Sequence, residues 1–418
     1  MSTAPASAGA APRPRLLFAV THPMTARLLL RGQLAFLARS GFEVAVVASP
    51  GEQLLAVARD EGIAVYPLAM QRAISPLADL TSLSGMRKVL DAFRPHLVNA
   101  STPKAGLLGM LAAARAHIPG RIYTARGLRL EGTRGVRRAL LVRAERFTAR
   151  RAHRVVCVSA SLERRFHELR LAPAGQTLVL GPGSSNGVDV TRFHPAHRRG
   201  EAARALRARL GIAAEAPVIG FVGRLTRDKG IGDLADAFTG LLAASHPTAR
   251  LLLVGEHEAG DAVPPAARAL LEKHPRVVAT GAVEDTAPYY ALMDVFAFPS
   301  RREGFPNAPL EAAAAGIPVA GYRATGTVDA VLDGVTGTLV AVGEVGALAA
   351  ALGAYLAKPA LRATHGGAGR ARVERELRQE QVWERWLTLY RRLLAAAPRE
   401  ESGTHPASRG GAGGHEQR

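Results

Sequence analysis

The sequence predicts an α/β protein built from two Rossmann-like, doubly wound domains that face each other across a central cleft. Three observations carry that expectation. The chain has 418 residues, too long for one ordinary α/β core and suited to two domains of roughly 150–200 residues each. Short apolar runs alternate with helix-length segments in both halves, which is the pattern of βαβ units around a parallel sheet. Between the halves lies a turn-rich stretch, Gly181-Pro182-Gly183-Ser184-Ser185-Asn186-Gly187, and a polar, basic segment then runs to about Ala214.

The elements follow in order. A strand is expected over 15–20, a helix over 27–40 ended by Gly41, and a second strand over 43–48. Strands over 97–100, 121–124 and 154–159 continue the alternation, and the turn-rich stretch follows residues 178–181. In the second half, strands over 218–222, 250–254, 277–280, 295–299 and 318–321 are separated by helix-length segments, one of them a helix over 232–244. Residues 336–357 are the most apolar stretch of membrane-spanning length. They carry Glu344 and several Gly, and read better as a strand over 338–342 and a helix from Val345. Residues 373–394 read as a terminal amphipathic helix bearing Trp383 and Trp386.

These elements divide the chain into an N-terminal domain over 15–185 and a C-terminal domain over 186–375. A helix over 376–396 is expected to pack back on the first domain. Residues 1–14, small and Pro-rich, and 397–418, rich in Gly, Ser and charge, are expected to be disordered. No secretory apolar segment precedes the first strand, so a cytoplasmic protein is expected, at most peripheral on the inner face of the membrane.

Hydrophobic residues make up 48% of the chain, enough for two cores. The single cysteine, Cys157, cannot form an internal disulfide and lies in the apolar run Val155-Val156-Cys157-Val158, where it reads as a small buried hydrophobe rather than a nucleophile. The net charge is +19 and only five of the cations are Lys. Such a charge favours anionic partners, whether phosphates, nucleic acid or an acidic membrane face.

Two segments have the composition of an anion site. Gly223-Arg224-Leu225 closes a strand, and Lys229-Gly230 precedes a helix; two cations held at a strand-end crevice suit a diphosphate leaving group. In a chain so rich in Arg, two ordinary surface cations explain the same residues. The second segment is more specific: Ser300-Arg301-Arg302-Glu303-Gly304-Phe305-Pro306-Asn307-Ala308-Pro309-Leu310-Glu311. A strand end, a Gly-containing loop and a helix follow one another, with Asn307 as the expected N-cap of a helix starting at Ala308. That helix points its free N–H groups at any anion in the loop. Glu303 is placed to bind sugar hydroxyls and Glu311 to chelate a ribose diol. Alternatively, Glu303 is a salt-bridge partner of Arg301 or Arg302, and Glu311 a favourable acid in the first turns of its helix.

The spacing Glu303-x7-Glu311, with Gly304-Phe305-Pro306-Asn307 between, resembles the signature of family 4 of the retaining glycosyltransferases, also called group 1, which have the GT-B fold. Gly223-Arg224-Leu225 with Lys229-Gly230 resembles that family's diphosphate clamp, and Thr325-Gly326-Thr327 with Asp329 its Gly-rich turn. Thr102-Pro103-Lys104-Ala105-Gly106 and Ser185-Asn186-Gly187-Val188-Asp189 with Arg192-Phe193 resemble the capsule and O-antigen polysaccharide branch. The match spans about 15–395.

By that resemblance the co-substrate is a nucleoside-diphosphate sugar, UDP-linked in the commonest case, and no cofactor or metal takes part. Arg224 and Lys229 would bind the diphosphate, Glu311 the ribose and Glu303 the transferred sugar. The amides of Gly304 and Phe305, beside Pro306 and Asn307, would lie near sugar or phosphate, Gly223 in the clamp and Gly281 near the base. The acceptor would be a glycan, or one linked to polyprenyl diphosphate. Where many relatives carry a His in the N-terminal loop, this chain has Arg126, which with Lys104 is the candidate for the acceptor side. Retention without an enzymic nucleophile implies front-face attack.

A basic stretch over 134–154 places Arg137, Arg138, Arg143, Arg146, Arg150 and Arg151 around Leu140, Leu141 and Phe147. It reads as a solvated helix with one face packed, or as a surface for anionic headgroups. The 13 histidines show no metal-ligand spacing, and His153, His167 and His257 read as surface or packing residues. Competing readings remain: a catalytically impaired scaffold, a nucleotide-sugar epimerase, and a nucleic-acid-binding protein, the last supported by charge alone at 5% aromatic residues. A dinucleotide oxidoreductase would need a Gly-x-Gly-x-x-Gly after the first strand, and Thr21-His22-Pro23-Met24 offers none.

Overall fold

A computed structural model describes residues 13–71 and 75–396; the tails expected to be disordered lie outside them, apart from Arg13, Pro14 and their continuation into the first strand. The first sheet contains β1 (Arg15–Ala19), β2 (Glu43–Ala48), β3 (Ala64–Pro67), β4 (Leu97–Ser101), β5 (Gly120–Ala125), β6 (Arg154–Cys157) and β7 (Thr177–Leu178). The second contains β8 (Val218–Val222), β9 (Arg250–Val254), β10 (Val277–Ala279), β11 (Val295–Phe298), β12 (Val319–Tyr322) and β13 (Gly337–Val340). The strand orders are β3-β2-β1-β4-β5-β6-β7 and β10-β9-β8-β11-β12-β13. Neighbouring strands pair in parallel throughout.

Central strands such as β8, Val-Ile-Gly-Phe-Val with all five residues buried, lack polar residues because helices cover both faces. β3 escapes a sequence reading because, at the sheet edge, it is short and only half-buried. Cys157 is buried in the core, and burial pushes its thiol pKa up.

Two expected helices are broken, each for a tertiary reason. The helix over 27–40 is two, Pro23–Leu29 and Gln33–Arg39. Gly32 takes φ +76° between them, and Glu61 accepts hydrogen bonds from the amides of Gly32 (2.6 Å) and Ala35 (2.9 Å), capping the second helix. A Cβ at Gly32 would lie 2.7 Å from the Trp383 ring.

The helix over 373–394 is likewise divided into Pro359–Glu376 and Gln379–Ala396. Its break falls where the chain crosses back to the first domain. Leu377 O accepts from Val188 N (3.0 Å), and Val188 O from Gln379 N (3.3 Å), so the two crossings between domains pair side by side. The last helix then buries Trp386 and Tyr390 in one cluster with Phe18 and Phe42 of the first domain. Tyr390 meets both Phe rings edge-on at 6.2 Å.

Candidate active site

In each sheet the strand order reverses once, between β1 and β4 and between β8 and β11. Side chains at the carboxyl ends of strands flanking such a switch point face an open crevice, because the connections leave in opposite directions. Gly223-Arg224 leaves β8, and Ser300–Glu303 follows β11. The fold therefore brings together the two segments that sequence analysis had singled out separately.

Lys229 donates to Glu303 Oε1, and Ser300 Oγ donates to the same oxygen at 2.7 Å. The Lys229 and Glu303 side chains are 19% and 14% exposed, so the pair is largely shielded yet reachable from the cleft. Arg301 and Arg302 are engaged elsewhere, with Asp233 (2.7 Å) and Asp228 (2.9 Å). The alternative that gave Glu303 to one of these arginines is thereby corrected. Arg224 is more exposed and pairs with Glu258. Gly230, at φ +71°, allows the turn before helix Ile231–Ala244 to close on β11; a Cβ there would lie 2.1 Å from Pro299 O.

Glu311 is half-buried on helix Asn307–Ala314, and its Oε2 accepts a 2.8 Å hydrogen bond from Tyr290 Oη. Tyr290 is itself fixed by edge contact with Phe193 at 5.4 Å. Burial raises the Glu311 pKa, against the hydrogen bond from Tyr290 that lowers it. Asn307 is not the N-cap: it is the first helical residue, after Pro306, and its Oδ1 is buried without a donor. The capping motif signalled a helix start correctly within one residue, but the Asn oxygen is left as an unfilled acceptor in the loop. Gly281, at φ +70°, follows β10, and its carbonyl accepts from Gly255 N at 3.0 Å beside the Gly223 turn.

The Glu303–Phe305 turn is also where the two domains meet. Gly304 O accepts from Ser159 Oγ (2.7 Å). Gly326 N donates to Ser161 Oγ (2.7 Å), which bonds Asp329 in turn. Thr325 Oγ1 donates to Glu131 (3.0 Å). Cβ atoms built on Gly304 and Gly326 would lie 2.3 Å from Arg126 O and 2.4 Å from Gly304 O, which explains Gly at both. Phe305 is buried against Gly183. Ser159, Ser161 and Glu131 were missed because nothing in their local sequence marks a contact that forms only between domains. The turn Thr325-Gly326-Thr327 with Asp329 was the legible half of it.

The two acceptor-side candidates differ. Lys104 is buried in helix Pro103–Arg115 and bonds both oxygens of Asp79 at 2.5 and 2.6 Å. The pair and the surrounding helix leave little of its ammonium open to a ligand. Arg126 follows β5 in the cleft, and its Nε and Nη1 are buried with no hydrogen-bond partner. Burial lowers its pKa to about 10. His153 accepts from Arg121 N, and His167 bonds Thr177, as packing and surface residues do.

Two facing switch-point crevices, with cations and carboxylates converging on one wall, define a GT-B transferase. Residues 10–183 match the family model described as glycosyl transferase 4-like domain, and residues 216–358 the one described as glycosyl transferases group 1. The chain is 34% identical over 366 residues to the capsular polysaccharide biosynthesis glycosyltransferase CapM of Staphylococcus aureus, covering 88% of this chain and 94% of that protein. It is 26% identical over 280 residues to the UDP-Gal:alpha-D-GlcNAc-diphosphoundecaprenol alpha-1,3-galactosyltransferase of Escherichia coli, covering 66% and 70%. Among solved structures, Anabaena Alr3699/HepE in complex with UDP-glucose aligns with a TM-score of 0.76 at 24% identity, covering 90% of this chain and 99% of that one. The chain belongs to the group 1 glycosyltransferases and is a transferase of the GT-B fold.

Proposed function

We propose that the protein transfers a sugar from a UDP-sugar, with retention of anomeric configuration, to a glycan or polyprenyl-diphosphate-linked acceptor in cell-surface polysaccharide synthesis. The observation that carries this reading is the Lys229–Glu303–Ser300 contact at the β8/β11 switch point, beside the amino end of the helix that holds Glu311. The names of the S. aureus and E. coli relatives support the polysaccharide and UDP assignments.

In this reading the diphosphate lies between Arg224, Lys229 and the amino end of helix Asn307–Ala314. Charge develops there as the bond from sugar C1 to phosphate oxygen breaks, and preorganised cations and amides stabilise it most in the transition state. Glu303, held by Ser300, accepts hydrogen bonds from sugar hydroxyls. Glu311, oriented by Tyr290, accepts from the ribose. The acceptor oxygen attacks C1 from the face the diphosphate leaves, and its proton passes to the departing phosphate oxygen.

Labelled UDP-, GDP- and TDP-sugars, assayed for thermal stabilisation and then for transfer, test the proposal, because a ligand that binds only the native state raises its stability. Stabilisation and transfer with a UDP-sugar are expected. Preference for GDP or TDP would correct the base, and neither stabilisation nor transfer with any donor would overturn the reading. Inversion at C1 of the product would overturn retention alone.

A further inference from the structure

The geometry points to Arg126 as an anion-recognition residue of the N-terminal wall, holding the phosphate of a phosphorylated acceptor. This rests on the transferase reading above and narrows its acceptor to a phosphorylated one, held by a named residue. Arg126 sits one residue beyond β5, and its carbonyl touches Gly304 so closely that a Cβ there would lie 2.3 Å away. Its backbone is thus fixed against the loop assigned to the donor.

The guanidinium has no acceptor at Nε or Nη1, although both atoms are fully shielded. Tyr390, the polar neighbour whose charge state Arg126 feels, is held in a chain of hydrogen bonds that does not include the guanidinium. Thr124 Oγ1 donates to Asn99 Oδ1 at 2.7 Å, and Asn99 Nδ2 donates to the Tyr390 hydroxyl at 2.7 Å. Trp386, stacked on Tyr390 at 5.6 Å, adds another buried donor, Nε1, with no partner. Unfilled buried donors on Arg126 and Trp386 suit a ligand that accepts hydrogen bonds. A shielded cation without a counter-charge is costly unless an anion completes it.

Phosphate fits this requirement, and a guanidinium fork binds it well. The donor diphosphate is assigned to cations on the opposite sheet, Arg224 and Lys229. The N-terminal wall is where an acceptor would approach, so the acceptor is the source to which the phosphate is assigned.

The test uses the full chain, wild type and with Arg126→Gln or Arg126→Lys, with UDP and farnesyl diphosphate as probes and each titrated alone and with the other saturating. Losing a charged hydrogen bond should weaken farnesyl diphosphate binding by about ten-fold or more in R126Q while UDP affinity stays within about two-fold, with partial rescue in R126K. Ligand-free R126Q should melt at the wild-type temperature or above, because an unpaired buried charge has been removed. Unchanged farnesyl diphosphate binding in R126Q overturns the assignment. So does a loss confined to UDP, which would give the guanidinium to the donor, and so does a lower melting temperature without ligand, which would make it structural. If wild type binds farnesyl diphosphate through Arg126 but no nucleotide sugar, the transferase reading fails and the anion site stands.

Discussion

Glu303 and Lys229 neutralise each other in a largely shielded crevice, so each side chain depends on its partner before any substrate arrives. Removing one leaves a charge uncompensated, whereas removing both does not. Lys229→Ala is therefore expected to lower turnover by orders of magnitude and to cost on the order of 1–3 kcal/mol of stability. The Lys229→Ala/Glu303→Gln double variant should regain stability but not activity. Arg224→Ala should lower turnover and nucleoside-diphosphate affinity without a comparable loss of stability, because Arg224 is exposed. Near-normal activity in both Arg224→Ala and Lys229→Ala would refute the clamp, and urea melts read the stability half of the prediction. The acids should separate: Glu311→Ala weakens nucleotide binding, and Glu303→Ala reduces transfer while sparing it. Equal losses of nucleotide affinity would show that the two roles are not divided. A third carboxyl, Glu145, accepts from Tyr123 Oη at 2.6 Å, and burial raises its pKa to about 7. The folded state thus holds a proton that the unfolded chain releases from about pH 4.5 upward. The contribution of Glu145 is fully present below that pH and is lost as pH rises to about 7, on the order of 1–3 kcal/mol. Glu145→Gln should flatten the slope of stability across this window, and an unchanged slope would assign it to other groups.

At the level of elements, short turns position the site more than the helices they join. Gly326 has φ +77° and no room for a side chain beside Gly304 O. Gly326→Ala should therefore destabilise by more than the roughly 1 kcal/mol of a simple left-handed penalty and should depress transfer with it. Wild-type melting and activity together would show that the turn yields. The basic helix Gly135–Ala149 makes a different case. Arg146 donates to the carbonyls of Leu169 (2.8 Å) and Arg170 (3.0 Å), and Arg151 lies over the Phe147 ring at 3.2 Å, so these two cations are partly structural. Val136 is 87% exposed and Leu140 48%, which leaves apolar side chains among the remaining arginines. Proposed attachment of this helix to anionic lipid predicts cosedimentation with anionic but not neutral vesicles. It should weaken with salt as surface charges are screened beyond about 10 Å at 0.1 M. Equal binding to both vesicle types, or no loss when Arg137, Arg138 and Arg143 are replaced by Gln, would refute it.

Across the whole molecule, the Glu303–Phe305 loop is also a latch between domains. Ser159, Ser161 and Glu131 of the first domain bond Gly304, Gly326, Asp329 and Thr325 of the second. These polar bonds, beside the apolar contact of Phe305 and the paired crossings at Val188 and Leu377, are where ligand-dependent closure of the domains would act. Ser161→Ala removes bonds to both Asp329 and Gly326. It should enlarge the ligand-free radius of gyration in small-angle scattering, with a nucleotide sugar restoring part of the compaction. An unchanged radius with and without ligand would show that closure does not depend on these bonds. Among the described residues no helix is long and apolar enough to cross a membrane.

The sequence by itself determined the two α/β sheets, nearly every central strand, and the strand-to-helix connections at 223–230 and 303–311. Local patterning is enough for these, because buried parallel strands demand continuous apolar runs and strand-to-helix turns demand Gly beside polar residues. It also determined that a helix begins near Asn307. Only the tertiary structure decided which charges meet. Arg301 and Arg302, adjacent to Glu303, bond other acids, while Lys229, far along the chain, takes it. Tertiary structure likewise broke the helices at Gly32 and Leu377, because Glu61 and the crossing at Val188 offer those backbone groups partners that local sequence does not reveal. Helical periodicity is written within a few residues. Ion pairs, caps and unfilled donors such as those of Arg126 depend on strand order, which brings distant residues to one crevice.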